Sequence, residues 1–301
     1  MGDINLFKIN GKVSQLSTKP FSLERELQTL VENNMDTFFG VSFLSSEFVI
    51  TDGRIDSLGI DENYCPVIFE YKRNQNENVI NQGLFYLDWL MNHKAEFKLL
   101  TIEKLGAKIA NKIDWSIPCV ICIANDFTKY DEHAVNQMQK NIKLIKYRKF
   151  GKDLILFEQI NASIIKPIED PAGSAKLRQK KSGDKTFVEQ LEGTSDQLRE
   201  IYYTIRDYMH SLGDDISENQ LKLYCAYKKT KNIVCVEMRQ KSIILYLKLN
   251  PQNLIEEQKK NMIRDVSSIG HWGTGDTEAT IKTAEDFERI KYLIDRSYNE
   301  N

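Results

Sequence analysis

The chain has 301 residues, with 41 Lys and Arg against 43 Asp and Glu, so its formal net charge is −2. Hydrophobic residues make up 41% and charged residues 28%, a composition typical of folded soluble proteins that excludes disordered and collagen-like classes. The longest apolar run, Ile117–Ala124, spans eight residues, whereas a membrane-spanning helix needs about 20. We therefore expect no membrane partner, and the overall charge selects no partner either.

The cysteine content predicts reduced thiols. There are five, an odd number in a chain too long to need disulfide staples, and they lie mostly in apolar, strand-like surroundings: Cys65, Cys119, Cys122, Cys225 and Cys235. The first residues carry no basic-then-apolar leader, so we expect no secretory signal. Both observations favour a cytoplasmic protein.

A stretch rich in breakers and charge predicts two domains. Lys166-Pro167 and Pro171-Ala-Gly-Ser174 interrupt the chain, and charged residues dominate 176–185. We expect a first domain over residues 1–165, a linker over 166–190 and a second domain over 191–301. A surface linker of this kind predicts few contacts between the two domains.

The first half predicts a mixed sheet with helices packed on it, an α/β arrangement. Ser22 is a candidate N-cap for a helix over residues 23–37. In chain order, the remaining expected elements are strands at 41–50, 54–60 and 66–72, helices at 79–97 and 103–113, a strand at 117–124, a helix at 129–140, and strands at 142–147 and 154–160.

The second half predicts a smaller α+β domain with an antiparallel sheet of three or more strands. Strands are expected at 221–227, 233–238 and 243–249, between helices at 196–210 and 284–298. The strand region carries basic and aromatic residues that either contact nucleic acid or form an ordinary solvated face: Tyr224, Tyr227, Lys228, Lys229 and Lys231. The basic run over 140–149 leaves the same two options open.

One constellation carries chemistry. The apolar run Val67-Ile68-Phe69 ends in Glu70 and Lys72, which project to the same face of a strand because side chains alternate. Asp56 lies on the preceding strand, and the short intervening turn predicts a hairpin. Neighbouring strands are about 4.8 Å apart, so Asp56 and Glu70 can share one hard cation. The pattern therefore predicts a magnesium-type oxygen site beside a lysine.

Asp56 with Glu70-Tyr71-Lys72 resembles the core of the PD-(D/E)xK nuclease superfamily, and the surroundings resemble its NucS-type endonucleases and Holliday-junction resolvases. Leu23-Glu-Arg-Glu-Leu27 is similar to the N-terminal helix of that branch, with Glu24 as the better match and Glu26 as the fallback. Gln82 and Tyr86 resemble its Gln-x-x-x-Tyr motif. The resemblance covers about residues 20–125, and Arg54-Ile55 departs from it where the superfamily motif has Pro before Asp.

This resemblance implies a restriction-endonuclease-like fold and a metal-dependent deoxyribonuclease that hydrolyses phosphodiester bonds in DNA, in repair or defence. Glu24, Asp56 and Glu70 would be metal-site carboxylates, Lys72 the catalytic lysine and Gln82 a positioning residue. The implied cofactor is Mg²⁺, with Mn²⁺ as a substitute, and the implied partner is nucleic acid. The alternative is a nucleic-acid-binding protein whose nuclease-like fold has weak or no catalysis. Oligomeric state is left open, with a homodimer as one option.

The second half resembles a family often labelled predicted transport proteins, through residues 264–276 and 293–298. That label has no physical support, because the sequence offers no membrane path. A domain of this family commonly follows a nuclease-like one, which implies recognition or regulation.

Two further patterns predict no site. Cys119 and Cys122 have zinc-like spacing, but on a strand their side chains point to opposite faces, which favours core thiols. The glycine-rich segment over 270–275 lacks the Lys-Ser or Lys-Thr of a phosphate loop and predicts a tight turn.

Overall fold

The computed structural model describes residues 4–72, 79–138, 140–160, 185–213, 215–271 and 273–301. Each half of the chain forms a six-stranded sheet. Of the linker expected over residues 166–190, residues 166–184 lie outside the described residues, and a helix begins at Phe187.

In the first half, the strands are β1 (Phe7–Lys8), β2 (Ser14–Gln15), β3 (Val41–Ile50), β4 (Gly53–Asp61), β5 (Pro66–Lys72), β6 (Cys119–Ala124), β7 (Asn141–Phe150) and β8 (Leu154–Gln159). Its helices are α1 (Glu24–Asn33), α2 (Met35–Phe39), α3 (Val79–Asn92), α4 (Lys94–Leu105), α5 (Ala107–Ala110) and α6 (Lys129–Gln137). The expected mixed sheet is confirmed. Its order is β3-β4-β5-β6-β7-β8, antiparallel from β3 to β5, parallel from β5 to β7, and antiparallel at β8.

Two apolar cores cover the faces of this sheet, which explains why its central strands are apolar throughout. Helix α1 packs on one face through Leu27 and Val31, together with Phe69 and Tyr71 of β5. Helix α3 packs on the other face through Leu87 and Leu90, together with Ile68. Cys119 belongs to the first core and Cys122 to the second, so the prediction that the two thiols point apart is confirmed.

The helix boundaries differ from those expected. The N-cap of α1 is Leu23, one residue after Ser22, and it makes no side-chain cap. The expected helix over 23–37 is broken at Asn34, whose side-chain amide donates to the Leu30 carbonyl. The long helix over 79–97 is interrupted at His93, whose Nδ1 is 2.7 Å from the Trp89 carbonyl. Both breaks arise where a polar side chain competes for a helix carbonyl.

In the second half, the helices are α7 (Phe187–Glu192), α8 (Asp196–Ser211), α9 (Ile255–Lys259) and α10 (Ala284–Glu300). The strands are β9 (Ser217–Gln220), β10 (Cys225–Lys228), β11 (Asn232–Arg239), β12 (Ser242–Leu247), β13 (Arg264–Asp265) and β14 (Thr277–Ile281), in the antiparallel order β13-β14-β12-β11-β10-β9. The antiparallel sheet is confirmed. The sequence missed the short strands β9, β13 and β14 because they contain few large apolar side chains.

The second sheet is covered on both faces. Helices α7, α8 and α10 form the larger core with one face. The other face packs Tyr224, Ala226 and Tyr246 against Cys65 and Ile117 of the first half. The expectation of few contacts between the halves is therefore wrong, because the turn between β4 and β5 is itself part of the shared core.

Polar contacts reinforce this interface. Lys228 forms a buried ion pair with Asp61 at 3.3 Å. Asn63 Oδ1 accepts hydrogen bonds from Tyr224 Oη at 3.0 Å and Asn232 Nδ2 at 2.7 Å. The option that Tyr224, Tyr227 and Lys228 stack on or contact nucleic acid is consequently wrong, since all three side chains are buried.

All five cysteines are free and buried, as expected from their surroundings. Within the described ranges, we find no helix with the length and apolarity that a bilayer span requires.

Candidate active site

The hairpin of β4 and β5 brings Asp56 and Glu70 together. The pairing of β4 with β5 runs from Ile60 opposite Pro66 to Ser57 opposite Phe69, and it ends there. Beyond that point the carboxylates occupy the space between the strands. Asp56 Oδ2 accepts a hydrogen bond from the Tyr71 amide at 3.0 Å, and Glu70 Oε1 accepts one from the Asp56 amide at 3.3 Å. Each acid is thus held by the backbone of the opposite strand.

Burial makes the ionised form of both acids costly. The Glu70 side chain is fully buried, and its Oε2 has no hydrogen-bond partner among the described residues. Burial, followed by the nearby Asp56 charge, raises the pKa of Glu70 to about 9. Burial also raises the pKa of Asp56, against the opposing effects of the Tyr71 amide and Lys72. At neutral pH the pair therefore carries a proton that a bound cation would replace.

Lys72 and Glu24 form an ion pair beside the two acids. Lys72 ends β5 on the same face as Glu70, and its Nζ lies 3.7 Å from Glu24 Oε1 at the start of α1. Glu26 is exposed and faces a surface groove beside Leu23 and Leu154 instead. Of the two candidate glutamates, Glu24 is therefore the one beside the lysine.

Gln82 lies on α3, where it contacts Tyr86. Its Nε2 donates to Tyr86 Oη at 3.0 Å, and Tyr86 Oη accepts from the Arg54 amide at 3.4 Å. Tyr86 also passes so close to Gly53 that a Cβ there would be 2.9 Å from its ring. Gln82 and Tyr86 thus brace the start of the strand that carries Asp56, and the hydrogen bond of Gln82 is made to Tyr86 rather than to the carboxylates.

Sequence reasoning missed a polar network behind the site. Gln28 Nε2 on α1 lies 3.0 Å from the Asp56 carbonyl and 3.1 Å from Glu47 Oε1. Glu47 has a φ of 53°, which is uncommon for a residue other than glycine, and it pairs with Arg54 at 2.5 Å. The polar run 45–47 within an apolar strand was the available signal. The network ties α1 and β3 to the strand that holds Asp56.

A second lysine was also missed. Lys72, Ala124 and Lys146 lie in register across the ends of β5, β6 and β7. Residues in register on parallel strands project to the same face, so Lys146 is on the face of Lys72. It pairs with Asp126 at 2.5 Å. The carboxyl ends of parallel strands are where open α/β sheets bind ligands, and two lysines stand there.

The donor set restricts the metals that this arrangement can hold. Among the described residues, no three His, Cys, Asp or Glu side chains are grouped as a metal cluster, so Glu24 is not joined to the other two acids. A structural zinc site needs four such protein ligands, and a catalytic zinc site needs three together with a water. Mg²⁺, in contrast, keeps several waters and is held by one or two carboxylates with substrate phosphate. Glu70 Oε2, which has no partner among the described residues and lies beside Asp56, fits a Mg²⁺ site of this kind.

The chain is 34% identical over 290 residues to a protein of Haemophilus influenzae described as an uncharacterized protein, and the alignment covers 94% of this chain and 95% of that relative. The chain belongs to the family of that protein, with both halves included. Residues 188–301 also match a family model described as "Domain of unknown function (DUF5655)".

Part of the chain is similar to solved nuclease structures. One is a repair endonuclease from Pyrococcus abyssi, at 18% identity and a TM-score of 0.29, covering 44% of this chain and 51% of that one. Another is an EndoMS–dsDNA2 complex, at 16% identity and a TM-score of 0.26, covering 48% of this chain and 64% of that one. The chain thus spans about half to two thirds of those lengths. Likeness at these scores does not transfer activity to this chain.

Proposed function

We propose that the chain is a Mg²⁺-dependent nuclease that hydrolyses phosphodiester bonds in DNA, with a PD-(D/E)xK-type site. The observation that carries the proposal is the pair of buried carboxyl groups, Asp56 and Glu70, with Lys72 on the same face and one buried Glu70 oxygen without a partner among the described residues. A structural ion pair would satisfy that oxygen with a protein cation, whereas here the pair carries a proton at neutral pH that a metal cation would replace.

Asp56 and Glu70 would hold the metal. When bound, Mg²⁺ supplies a Lewis acid for a phosphoryl oxygen and lowers the pKa of a bound water. The fixed hydrogen bonds from the Tyr71 and Asp56 amides keep the two carboxylates oriented before any ligand arrives. Preorganisation of this kind reduces the reorganisation needed during the reaction.

Lys72 would contact the scissile phosphate or the attacking water. In hydrolysis, water adds to phosphorus while one P–O bond breaks, so that one product carries the phosphate and the other a hydroxyl group. Negative charge accumulates on the phosphoryl oxygens, and an ammonium group beside the acids stabilises it. Glu24 holds Lys72 in place until substrate phosphate competes for it. Lys146, in register with Lys72, would contact a neighbouring phosphate.

The decisive experiment compares Glu70→Gln and Lys72→Met with the unchanged chain on labelled DNA and RNA of several structures, with Mg²⁺, Mn²⁺ or EDTA. Glu70→Gln is the sharper variant, because it replaces a group that is protonated at neutral pH without metal by a neutral amide of the same shape. We expect each variant to lose at least about 100-fold in cleavage rate. The exposed Lys140→Met serves as the matched lysine control and should cleave normally.

Binding separates this proposal from the alternative. Phosphate contacts supply most non-specific affinity, so Glu70→Gln should still retard DNA in a gel with steep salt dependence. Binding without metal-dependent cleavage by the unchanged chain would favour the nucleic-acid-binding alternative. Cleavage that persists in both variants would show that the site has been assigned to the wrong residues.

A further inference from the structure

The interface between the two halves encloses a small cavity that the proposed nuclease chemistry does not use. Its volume is about 20 Å³, room for a water-sized species. It lies on the opposite face of the first sheet from Glu70, among apolar residues such as Phe39 and Ile121. The polar lining is contributed by Asp61, Asn141, Lys143, Asn219 and Lys228, together with residues at its rim.

Lys143 is the unusual member of this lining. Its side chain is only 7% exposed, and its ammonium has no hydrogen bond or ion pair to any described residue. Burial, followed by the charge of Lys228, lowers its pKa to about 8. The group therefore still carries its charge at neutral pH, inside the interface between the two halves of the chain and without a partner among the described residues.

The surrounding charges do not compensate for it. Lys228 is paired with Asp61. Among the described residues that line the cavity, two ammonium groups thus share one carboxylate, which leaves one positive charge in excess. An unpaired buried charge is destabilising, so a chain that folds with Lys143 charged gains stability from any anion that reaches it.

We propose that this cavity is a binding site for a small monovalent inorganic anion, held by Lys143 and neutralised within the Lys143–Lys228–Asp61 cluster. Size favours such a species over phosphate or sulfate, because the cavity has no room for a tetrahedral oxyanion with four oxygens. A monovalent anion neutralises the one excess positive charge of this cluster, whereas a divalent anion would make the cluster negative. The anion would hold the two halves of the chain together.

Chloride and bromide are suitable probes. The thermal midpoint of the full chain should be compared in about 0.5 M chloride and in gluconate at equal ionic strength, since gluconate is too large to enter. We expect chloride to raise the midpoint by roughly 2 °C more than gluconate does. Lys143→Met should remove this difference, while the exposed Lys140→Met should keep it.

A crystal grown or soaked in bromide gives an independent readout, which holds even if Lys143→Met fails to fold. We expect an anomalous peak within contact distance of Lys143 Nζ in the unchanged chain. No anomalous peak at the cavity, which would mean that only a water lies there, would overturn the proposal. An equal chloride response in the unchanged chain and in Lys143→Met would overturn it as well.

Discussion

The buried acids at the two ends of the β4–β5 hairpin differ in their ion pairs and hydrogen-bond partners. At the turn, Asp61 is paired with Lys228, and it also accepts from the amides of Asn63 and Cys65. At the open end, about 17 Å along the strand, Glu70 keeps an oxygen without a partner among the described residues, and the pKa of both Glu70 and Asp56 is raised by burial.

The difference separates a structural acid from a functional one. Both ends place carboxyl groups in a low-dielectric interior. At the turn, Asp61 is ion-paired with a lysine and accepts two amide hydrogen bonds, whereas Glu70 keeps an oxygen without a partner among the described residues. A buried acid that the protein does not neutralise itself is a place for a ligand from outside. Buried charge alone would not have told the two ends apart.

The largest effect that would sharpen this comparison is expected at the turn. Asp61→Ala leaves Lys228 buried without its partner and should lower the free energy of unfolding by about 3–5 kcal/mol. Asp56→Asn relieves repulsion of Glu70 and should leave stability unchanged or higher. Chemical denaturation of both variants checks the contrast, with the exposed Asp153→Ala as control. Equal losses at Asp61 and Asp56 would mean that the two ends do not differ.

The next largest effect is a pH dependence at the open end. Glu70 has an ordinary pKa of 4.5 when unfolded and about 9 when folded, so the folded chain binds the extra proton between those values. Stability contributed by this group is therefore complete below pH 4.5 and declines as pH rises towards 9, by at most about 1.4 kcal/mol per pH unit. Glu70→Gln should flatten the dependence of thermal midpoint on pH. A parallel curve in the variant would contradict the burial argument.

Magnesium should act on the same proton. Because the metal displaces it from Glu70, Mg²⁺ is expected to stabilise the chain more at pH 8 than at pH 6, by about 1–2 kcal/mol at saturation. Thermal midpoints at both pH values, with and without Mg²⁺, measure this. Glu70→Gln should not respond, and Asp61→Asn, if it folds, should respond like the unchanged chain. A response that is independent of pH would indicate binding elsewhere.

The smallest expected effect tests the polar part of the interface. Tyr224→Phe removes one of the two hydrogen bonds that Asn63 Oδ1 accepts and keeps the ring in the shared core. We expect a loss of about 0.5–1.5 kcal/mol in the free energy of unfolding. Tyr130→Phe, at an exposed tyrosine, should cost nothing measurable. A loss above about 3 kcal/mol would show that the ring itself moves.

The strands that carry the site were predictable because their signals are local. An apolar run ending in Glu70 and Lys72, and a short turn back to Asp56, determine both the hairpin and the shared face. The second sheet was only partly predictable, since β9 and β14 contain few large apolar residues and are short strands held between or beside their neighbours in the sheet.

The interface was not predictable at all. Lys143 belongs to a basic run that favours a solvated face, and Tyr224, Tyr227 and Lys228 have the composition of a binding surface. Their burial depends on how the two halves meet, which no periodicity in either half encodes. The left-handed backbone of Glu47 was not predictable either, because its side chain contacts Gln28, which is distant in the sequence.

The burial of the β4–β5 turn has a consequence for protein engineering. Hairpin turns are ordinarily the places where a chain tolerates insertions, but residues 61–65 form part of the internal packing between the two halves. A tag or fluorescent domain inserted there would have to separate the halves. The β7–β8 turn is the opposite case. Gly151 has no atom within 4 Å of an added Cβ, and Lys152 and Asp153 are exposed. Reporters and circular-permutation termini therefore belong at residues 151–153.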